Sequence, residues 1–490
     1  MPGERCLIAM LLLAAVASAL SPILPNRRLV LPSIVAVSAV ELLLAVVLWA
    51  GVLAGPGFVT AADEWFYVDA FSAFHIVVLA LVFALSSGFA AIYFAGEAEA
   101  GSFDLAVARR FGGLWLGAEA AMLLVLMSNN LGVMWIGMEA TTLITAFLIS
   151  LHPTSLSLEA MWKYLIICSI GIAFAFMGTL LTAAATRSGN SGAAALFWTH
   201  IAAADTSLDP TLMKFSFVFV LVGYGTKAGL APIHSWLPDA HSQAPAPVSA
   251  MFSGFLLNTA LYCIMRFVPP VQHALGSDFT SGLLVAFGVL SILVAAGFIV
   301  FQRDAKRLLA YHSVEHMGII ALGYGLGPLG AFAALFHTLN HSVCKSLAFF
   351  AVGRLGQRFG SHSMHRITGA LRADPVWGIA LLVSLLALIG VAPFSIFMSE
   401  YQLLRAAVGA GAWFALVLFL AASAVVFVAA LRHLIDMAYG LPATAMPPPT
   451  RSRLGLSIVG VSGGLLLVLG MWMPVPLLDA IGRAASIVAG

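Results

Sequence analysis

The chain has 490 residues, of which 61% are hydrophobic and only 9% are charged, and its formal net charge is +2. A soluble domain carries about 25% charged residues, so this composition excludes a water-soluble fold and indicates a polytopic membrane protein. Basic residues lie in short clusters between apolar stretches, which excludes the basic footprint of a nucleic-acid-binding protein.

The apolar stretches predict an all-α membrane protein with about fourteen transmembrane helices. The first stretch is similar to a secretory signal, but further spans follow at once and favour an uncleaved helix. Segment 190–212 is mixed and is predicted to be a loop with a surface helix. The predicted spans are 6–22, 29–54, 70–94, 112–127, 131–150, 161–184, 214–236, 246–268, 279–301, 307–324, 329–352, 376–399, 402–434 and 455–478, and the thirteenth allows an extra break.

The loops between these spans differ in basic residues, and this difference predicts their sidedness. With the N-terminus outside, fourteen basic residues fall in cytoplasmic loops and six fall outside, so both termini are predicted to lie outside. The cytoplasmic set is Arg27, Arg28, Arg109, Arg110, Arg303, Lys306, Arg307, Arg354, Arg358, Arg366, Arg372, Arg432, Arg451 and Arg453. The outside set is Arg5, Arg187, Lys214, Arg266, Arg405 and Arg483.

A five-residue motif occurs twice in the chain. Gly-Leu-Ala-Pro-Ile contains Pro232, and Gly-Val-Ala-Pro-Phe contains Pro393. Each proline lies within an apolar span, where it must break the helix. Two Pro-interrupted spans in matching positions are typical of inverted-repeat transporters with a binding site at the broken helices. A match of five residues also arises by chance, so the motif alone does not establish a repeat.

The ionisable residues counted here as intramembrane charges are Glu139, Lys163, Lys227, Lys345 and Glu400. Each unpaired charge at the bilayer centre costs about 2.5–3.5 kcal/mol, so together they would cost on the order of 12–17 kcal/mol. That cost is comparable to the whole stability of a domain. These side chains are therefore expected to face the protein interior, to find partners and to reach water.

Glu139 and Lys227 are candidates for a switching pair, because Glu139 lies mid-helix and Lys227 lies five residues before Pro232. A Glu–Lys pair that opens and closes changes the proton affinity of both groups. The alternative is a structural ion pair that holds two helices together. Lys163 can pair with Glu159 one turn earlier, or its amine can extend from a helix end towards the membrane surface.

His337, His341 and Lys345 follow one another at intervals of four residues, which puts them on one face of a helix. Histidine titrates near neutral pH, so this line suits a proton relay. Metal binding by the two histidines would lack a third ligand, and no metal site is predicted. A second polar cluster near the start of a helix, predicted to be wetted from the cytoplasm, contains His312, Glu315 and His316.

Glu400 follows the second break and is either an exit site for protons or a carboxylate near the membrane surface. The sequence carries no motif that predicts a cofactor in this chain: four separate cysteines form no CxxC pair, and a GxGxxG match at 325–330 follows no strand. Moving one proton against about 200 mV needs about 4.6 kcal/mol. That work is therefore expected to come from another ion gradient or from a partner.

These motifs together resemble the antiporter-like subunits of respiratory complex I, of group 4 membrane-bound hydrogenases and of Mrp antiporters. The strongest segment begins at Lys227, includes His234 and the sequence Trp-Leu-Pro-Asp-Ala-His that contains Asp239 and His241, and ends at Pro245. The resemblance covers roughly 65–430. The sequence Tyr-His-Ser-Val-Glu-His-Met-Gly at 311–318 is most similar to the hydrogenase-4 component F branch.

The resemblance implies two inverted five-helix repeats at 112–268 and 279–434, preceded by three helices in 1–111 and followed by a last helix at 455–478. It implies that Glu139 and Lys227 form the switching pair, that Lys163 tunes it and that Glu400 is the distal titrating site. His337, His341 and Lys345 would be the relay. Supporting polar or hydrated positions would be His234, Asp239, His241, Asn258, His312, Glu315 and His316. Many relatives have lysine where Asn258 stands, so the central link is expected either to use water or to be weaker.

The expected function is proton translocation by a membrane subunit of a redox-driven complex of the NADH:quinone oxidoreductase, hydrogenase or formate hydrogenlyase type. Iron–sulfur clusters, flavin, nickel–iron or quinone sites would lie in partner subunits. The expected partners are lipids, other antiporter-like subunits and a peripheral redox module in a bacterial or archaeal cytoplasmic membrane, with H⁺ or Na⁺ as the ion. The alternatives are an Mrp-type exchanger without redox coupling, a structural docking subunit, or the carbon-uptake role known for some relatives.

Overall fold

The structure is a computed structural model that describes residues 2–99, 101–186, 195–203, 208–442, 449 and 452–489. The described residues form an all-α membrane protein with one short β-hairpin, as predicted apart from the hairpin. Ten helices among them are long and apolar enough to cross a membrane. The chain is therefore a multi-pass membrane protein, while the count of fourteen spans, the inverted repeats and the sidedness remain predictions.

The N-terminal region contains three long helices: α1 (Pro2–Leu20), α2 (Arg27–Ala54) and α3 (Ala70–Glu99). Between α2 and α3 the strands β1 (Phe58–Ala61) and β2 (Phe66–Asp69) pair in antiparallel register. The sequence analysis did not predict this hairpin, because a four-residue strand is too short to show a periodic pattern.

The next region contains α4 (Leu105–Met127), α5 (Leu131–Ile149), α6 (Ser155–Ala185), the short α7 (Trp198–Ala202) and α8 (Pro210–Ala228). Helix α7 lies in the mixed segment where a surface helix was predicted, although part of that segment lies outside the described residues. Helix α8 ends eight residues before the predicted end of its span at 236, because the helix is interrupted at Gly229.

After this first break, the chain forms α9 (Trp236–Gln243) and α10 (Ala246–Met251). A π-helical segment (Phe252–Leu256) joins α10 to α11 (Leu257–Leu275), and the three together form one buried continuous span. Helix α12 (Ser277–Ile299) follows.

The second half begins with α13 (Ala305–Tyr324), the long α14 (Gly327–Phe359) and the short α15 (Ala370–Ala373). The second break separates α16 (Pro375–Leu388) from α17 (Ser395–Gly409). The predicted span 376–399 is therefore two helices, and the break at 389–394 contains Pro393, where the sequence predicted it.

The C-terminal region contains α18 (Trp413–Ala438), α19 (Arg453–Met471) and α20 (Val475–Ala489). The predicted span 402–434 crosses the end of α17 and is interrupted at 410–412, where Gly411 has φ +65°. Helix α20 was not predicted, because its fifteen residues are too few to span a membrane.

Polar side chains cap the N-termini of several helices. Each cap accepts hydrogen bonds from backbone N–H groups that would otherwise have no partner. Asp304, for example, accepts from the backbone N–H groups of Lys306 at 2.9 Å and Arg307 at 3.0 Å at the start of α13. The other capping residues are Asn26, Asp104, Asn130, Thr154, Asp209, Asp374 and Ser452.

Helices α13, α14 and the α10–α11 span form the centre of the molecule, and nearly all of their residues are buried. The outer helices present large apolar side chains outward, among them Leu43 of α2, Phe174 of α6 and Val428 of α18. Lipid or neighbouring subunits are the surroundings that such a surface requires. The central helices therefore carry the polar clusters away from hydrocarbon.

Both breaks turn at a glycine in the left-handed region, Gly229 with φ +77° and Gly390 with φ +69°. Only glycine adopts this conformation without steric cost. The second break is also held from outside, because a Cβ added to Gly470 of α19 would lie 1.9 Å from the Pro393 carbonyl oxygen. Both prolines are exposed on the chain surface.

Candidate functional site

Lys227 lies in the last turn of α8, directly before the first break, and is completely buried. Its ammonium group donates to the Tyr164 hydroxyl at 2.5 Å and to Thr142 Oγ1 at 2.8 Å. The Thr145 hydroxyl donates to the Thr141 carbonyl at 2.6 Å, so it accepts from the Tyr164 hydroxyl, also at 2.6 Å. Hydrogen bonds therefore run from Lys227 through Tyr164 to α5 in one direction.

Glu139 and Thr142 both lie on α5, and the Glu139 side chain is half-buried. Its Oε1 accepts from Ser169 of α6 at 2.9 Å, and its Oε2 has no hydrogen-bond partner. No ion pair joins Glu139 to Lys227 within the described residues. The structure thus brings the two predicted members of the switching pair into one region, but with Lys227 bound to hydroxyl groups instead of the carboxylate.

Lys163 is placed apart from this buried group, on an exposed face of α6. Its ammonium group lies 2.8 Å from Glu159 and 3.1 Å from Asp239 of α9. Asp239 also forms an ion pair with Arg307 at 2.6 Å. The predicted pairing with Glu159 is present, and the two cations and two carboxylates link α6, α9 and α13 near the first break.

A chain of imidazoles joins α13, α14 and α17. His316 and His337 are hydrogen-bonded at 2.8 Å between Nδ1 and Nε2, and His337 Nδ1 lies 2.9 Å from Ser399 Oγ. The Ser399 hydroxyl donates to the Ile396 carbonyl at 2.8 Å, so it accepts from His337. His337 is then protonated on Nδ1 and accepts from His316 Nδ1, which leaves His316 Nε2 without a partner.

His341 and Lys345 continue along α14 on the same side. The His341 ring centroid lies 5.3 Å from that of His316, and both of its ring nitrogens lack hydrogen-bond partners. The Lys345 ammonium donates to the Leu309 carbonyl of α13 and lies 5.3 Å from the Phe349 ring centroid. The predicted relay residues are thus on one buried face, with a lysine at its end.

His312 and Glu315 form a buried pair on α13, with His312 Nδ1 2.9 Å from the Glu315 carboxylate. Donor atoms of these two residues and of His316 lie within 4.8 Å of one another. Two imidazoles and a carboxylate at this separation form a set that can hold either a shared proton or a metal ion. The sequence spacing pointed only to His337 and His341 as candidate metal ligands, and the absence of a metal site stays a prediction.

Asn258 lies at the start of α11, directly after the π-helical segment. Its amide donates to the Gly254 carbonyl at 3.1 Å and to Ser342 Oγ of α14 at 3.3 Å. Its carbonyl oxygen is buried without a partner. A buried acceptor that lacks a donor is a position where a water molecule bonds favourably, consistent with the predicted water-mediated link.

Glu400 folds back against the second break: a Cβ on Gly390 would lie 2.4 Å from its Oε2. No ion pair of Glu400 occurs in the part of the chain that the structure describes. His234, in the first break, is half-buried, with its ring centroid 6.3 Å from that of Tyr311. Each break therefore has one predicted titratable residue beside it.

Several buried charged residues were missed by the sequence analysis. Lys306 was assigned to a cytoplasmic loop and Arg266 to the outside, yet both are buried within helices, Lys306 in the first turn of α13 and Arg266 in α11. Glu41 of α2 and Glu119 of α4 are also buried. Their carboxylates lie inside predicted spans, which is the same signal that identified Glu139.

The sequence over residues 128–426 matches the protein family described as "NADH:quinone oxidoreductase/Mrp antiporter, TM". A Hydrogenase-4 component F homolog from Methylacidiphilum infernorum is 38% identical over 349 residues, which cover 70% of this chain and 73% of the relative. Hydrogenase-4 component B from Escherichia coli is 29% identical over 358 residues, 69% of this chain and 50% of the relative. The chain thus spans about half the length of component B.

Solved structures share the same fold over nearly the whole chain. A chain of the archaeal membrane-bound sulfane sulfur reductase superposes with a TM-score of 0.88 at 24% identity, covering 99% of this chain and 97% of that one. A chain of respiratory complex I from Thermus thermophilus superposes with a TM-score of 0.78 at 26% identity, covering 97% and 99%. Both are chains of membrane-bound respiratory complexes.

Proposed function

This chain belongs to the NADH:quinone oxidoreductase/Mrp antiporter membrane family, and from that membership we propose that it translocates protons as one subunit of a redox-driven membrane complex. The complex would be of the NADH:quinone oxidoreductase type or of the membrane-bound hydrogenase or formate hydrogenlyase type. Its electron-carrying centres would lie in other subunits. Neighbouring antiporter-like subunits and a peripheral redox module would be the partners.

The observation that carries this proposal is the set of titratable side chains buried at the centre of a membrane protein. Lys227 and Lys345 are completely buried, and neither forms an ion pair within 4.0 Å in the described ranges. An uncompensated ammonium in such surroundings is costly, so it gains stability by releasing its proton or by regaining a carboxylate. A group of this kind suits repeated loading and unloading of protons.

The proposed sequence of events follows the two polar groups. Approach of Glu139 stabilises protonated Lys227, and separation of the pair, tuned by Lys163, releases its proton. The proton passes by way of Asn258 and bound water to Lys345, His341 and His337, and leaves near Glu400. The coupling energy comes from the partner that changes the Glu139–Lys227 separation, because nothing in the proposed path supplies energy itself.

The test is Lys227→Ala in the assembled complex, reconstituted in vesicles with redox-driven proton uptake as the measurement. We expect proton uptake per electron to fall at least tenfold, with Lys214→Ala, an exposed lysine on the same helix, as the matched control. Unchanged uptake in the Lys227 variant would overturn the proposal. Exchange of Na⁺ for H⁺ without any redox partner would favour the Mrp-type alternative, and normal pumping after Glu139→Gln would favour a docking subunit.

A further inference from the structure

Lys306 forms a second buried cationic site, close to the membrane surface at which α13 begins. Its ammonium group donates to the carbonyl oxygen of Ser242 at 3.2 Å and to that of Ala244. Ser242 lies in the last turn of α9 and Ala244 follows that helix, and no carboxylate pairs with Lys306 within 4.0 Å in the described chain. A buried ammonium held only by neutral carbonyls is a group that can release its proton at modest cost.

His241 lies next to residues that contact Lys306 and Lys345. It precedes Ser242 directly, it is completely buried, and neither ring nitrogen has a hydrogen-bond partner among the described residues. Its ring stacks on Phe349 at a centroid separation of 5.0 Å, and the Lys345 ammonium lies 5.3 Å from the same Phe349 ring.

The other end of this group approaches solvent. The segment 361–364 covers the first turn of α13, with the Ala305 N–H donating to the His362 carbonyl at 2.9 Å. Burial, and next to it the charge of Lys306, lowers the pKa of His362 to about 3, so its imidazole is neutral at physiological pH. An open cavity of about 540 Å³ adjoins this segment and is lined by Arg303, Met364 and His365 among others.

A proton path needs one end near water and the other at the relay: the cavity lies next to the first turn of α13, and Phe349 contacts both His241 and Lys345. We propose that Lys306 and His241 form a port through which protons reach Lys345 from the membrane surface at which α13 begins. A proton from water binds neutral Lys306, passes to His241 and then to Lys345, and no other bond forms or breaks. This inference rests on the proposed function and adds a proton entry for the second half of the chain, and Lys345 then needs both this entry and the path from Lys227.

Lys306→Arg tests the port, because arginine keeps the charge and donates to the same carbonyls but does not release its proton. In the reconstituted complex we expect assembly to be normal and redox-driven proton uptake to fall at least tenfold. Lys214→Arg is the matched control and should pump at the unaltered rate. Uptake within twofold of the unaltered protein in Lys306→Arg would overturn the port.

A second pair of measurements covers the case in which arginine disturbs the fold. His241→Phe keeps a ring on Phe349 and removes both nitrogens, and we expect at least a tenfold loss of uptake. Lys306→Cys treated with bromoethylamine regains an amine and should regain pumping, whereas treatment with iodoethane adds a neutral chain and should not. Equal recovery with both reagents would assign Lys306 a structural role and overturn the port.

The port and the proposed function fail in distinguishable ways. Loss of pumping in Lys227→Ala, together with normal pumping in Lys306→Arg and His241→Phe, would overturn the port alone. Normal pumping in all three variants would overturn both. Loss in all three supports both proposals.

Discussion

Lys227 donates a hydrogen bond of 2.5 Å to the Tyr164 hydroxyl, whereas Glu139, the predicted partner of Lys227, binds Ser169. Tyr164 is itself completely buried, and its hydroxyl donates a hydrogen bond to the Thr145 hydroxyl. The hydroxyl thus occupies a place next to the ammonium where a carboxylate was expected. In the proposed switching pair, this hydroxyl would keep the lysine solvated while the carboxylate is away.

Tyr164→Phe removes this hydroxyl and leaves Lys227 with Thr142 as its hydrogen-bond partner. A hydrogen bond to a charged group is worth about 1.5–3 kcal/mol, so we expect roughly a tenfold or larger fall in proton uptake per turnover. The measurement is redox-driven uptake in vesicles. Tyr224→Phe is the control, since the Tyr224 hydroxyl is buried and bonds no charged group among the described residues, and equal effects in both variants would contradict the role of Tyr164.

A buried ion pair joins the hairpin to α11 and should dominate local stability. Arg266 donates to both carboxylate oxygens of Asp69 at 2.7 Å, and both side chains are about 95% buried, with exposed fractions of 5% and 4%. Removing one partner of such a pair leaves an uncompensated charge and costs about 3–5 kcal/mol. We therefore expect Asp69→Ala to lower the thermal unfolding midpoint strongly.

The control for that prediction is the exposed pair of Arg483 and Asp479 on α20, whose atoms lie 3.0 Å apart. Solvent-exposed pairs contribute little to stability, so Asp479→Ala should leave the unfolding midpoint nearly unchanged. Differential scanning fluorimetry of the purified protein in one detergent measures both variants. Similar midpoints for the two variants would contradict the assigned importance of the Arg266–Asp69 pair.

Apolar runs made most spans predictable from the sequence. The predicted helix 29–54 differs from α2 (Arg27–Ala54) by two residues, because the run is continuous and its ends are polar. Interrupted spans were predicted less well. The sequence predicted breaks at Pro232 and Pro393, but the helices already end at Ala228 and Leu388. The first turn begins at Gly229, and the second begins at the residue before Gly390.

The candidate site was predictable where a charge interrupts a long apolar run, as at Lys227 and Lys345. Lys306 was missed because Gln302, Arg303 and Asp304 precede it, and a polar stretch of this kind is typical of a loop. Its burial depends on carbonyls at 242–244, which are distant in sequence. The hydroxyl partners of Lys227 were also unpredictable, because hydroxyl groups are common in membrane helices and only packing decides which one meets a charge.

Close packing of α19 against the second break gives a prediction at Gly470. A Cβ at this position would lie 1.9 Å from the Pro393 carbonyl oxygen, a backbone atom that cannot move away alone. Overpacking of this kind costs about 1–3 kcal/mol, so Gly470→Ala should lower the unfolding midpoint and also reduce pumping by displacing α17. Both are measured on the variant in its complex.

Gly464 is the matched control, because it lies on the same helix and an added Cβ would meet nothing within 4 Å. Alanine there improves helix propensity by up to about 1 kcal/mol, so Gly464→Ala should be neutral or slightly stabilising. A destabilised Gly464→Ala, or an unaffected Gly470→Ala, would contradict the proposed contact between α19 and the break.

The last prediction concerns Asn258, whose buried carbonyl oxygen lacks a donor and whose amide binds Ser342. If bound water at this oxygen links Lys227 to Lys345, Asn258→Leu should expel that water and lower proton uptake at least tenfold, while the complex remains assembled. Thr259→Val, on the next residue of α11, removes only a hydroxyl that bonds within its own helix and should pump normally. Normal uptake in Asn258→Leu would mean that protons do not cross between the two halves of the chain at this residue. If pumping still failed in Lys306→Arg, the membrane surface at the start of α13 would then be identified as the proton entry for the second half.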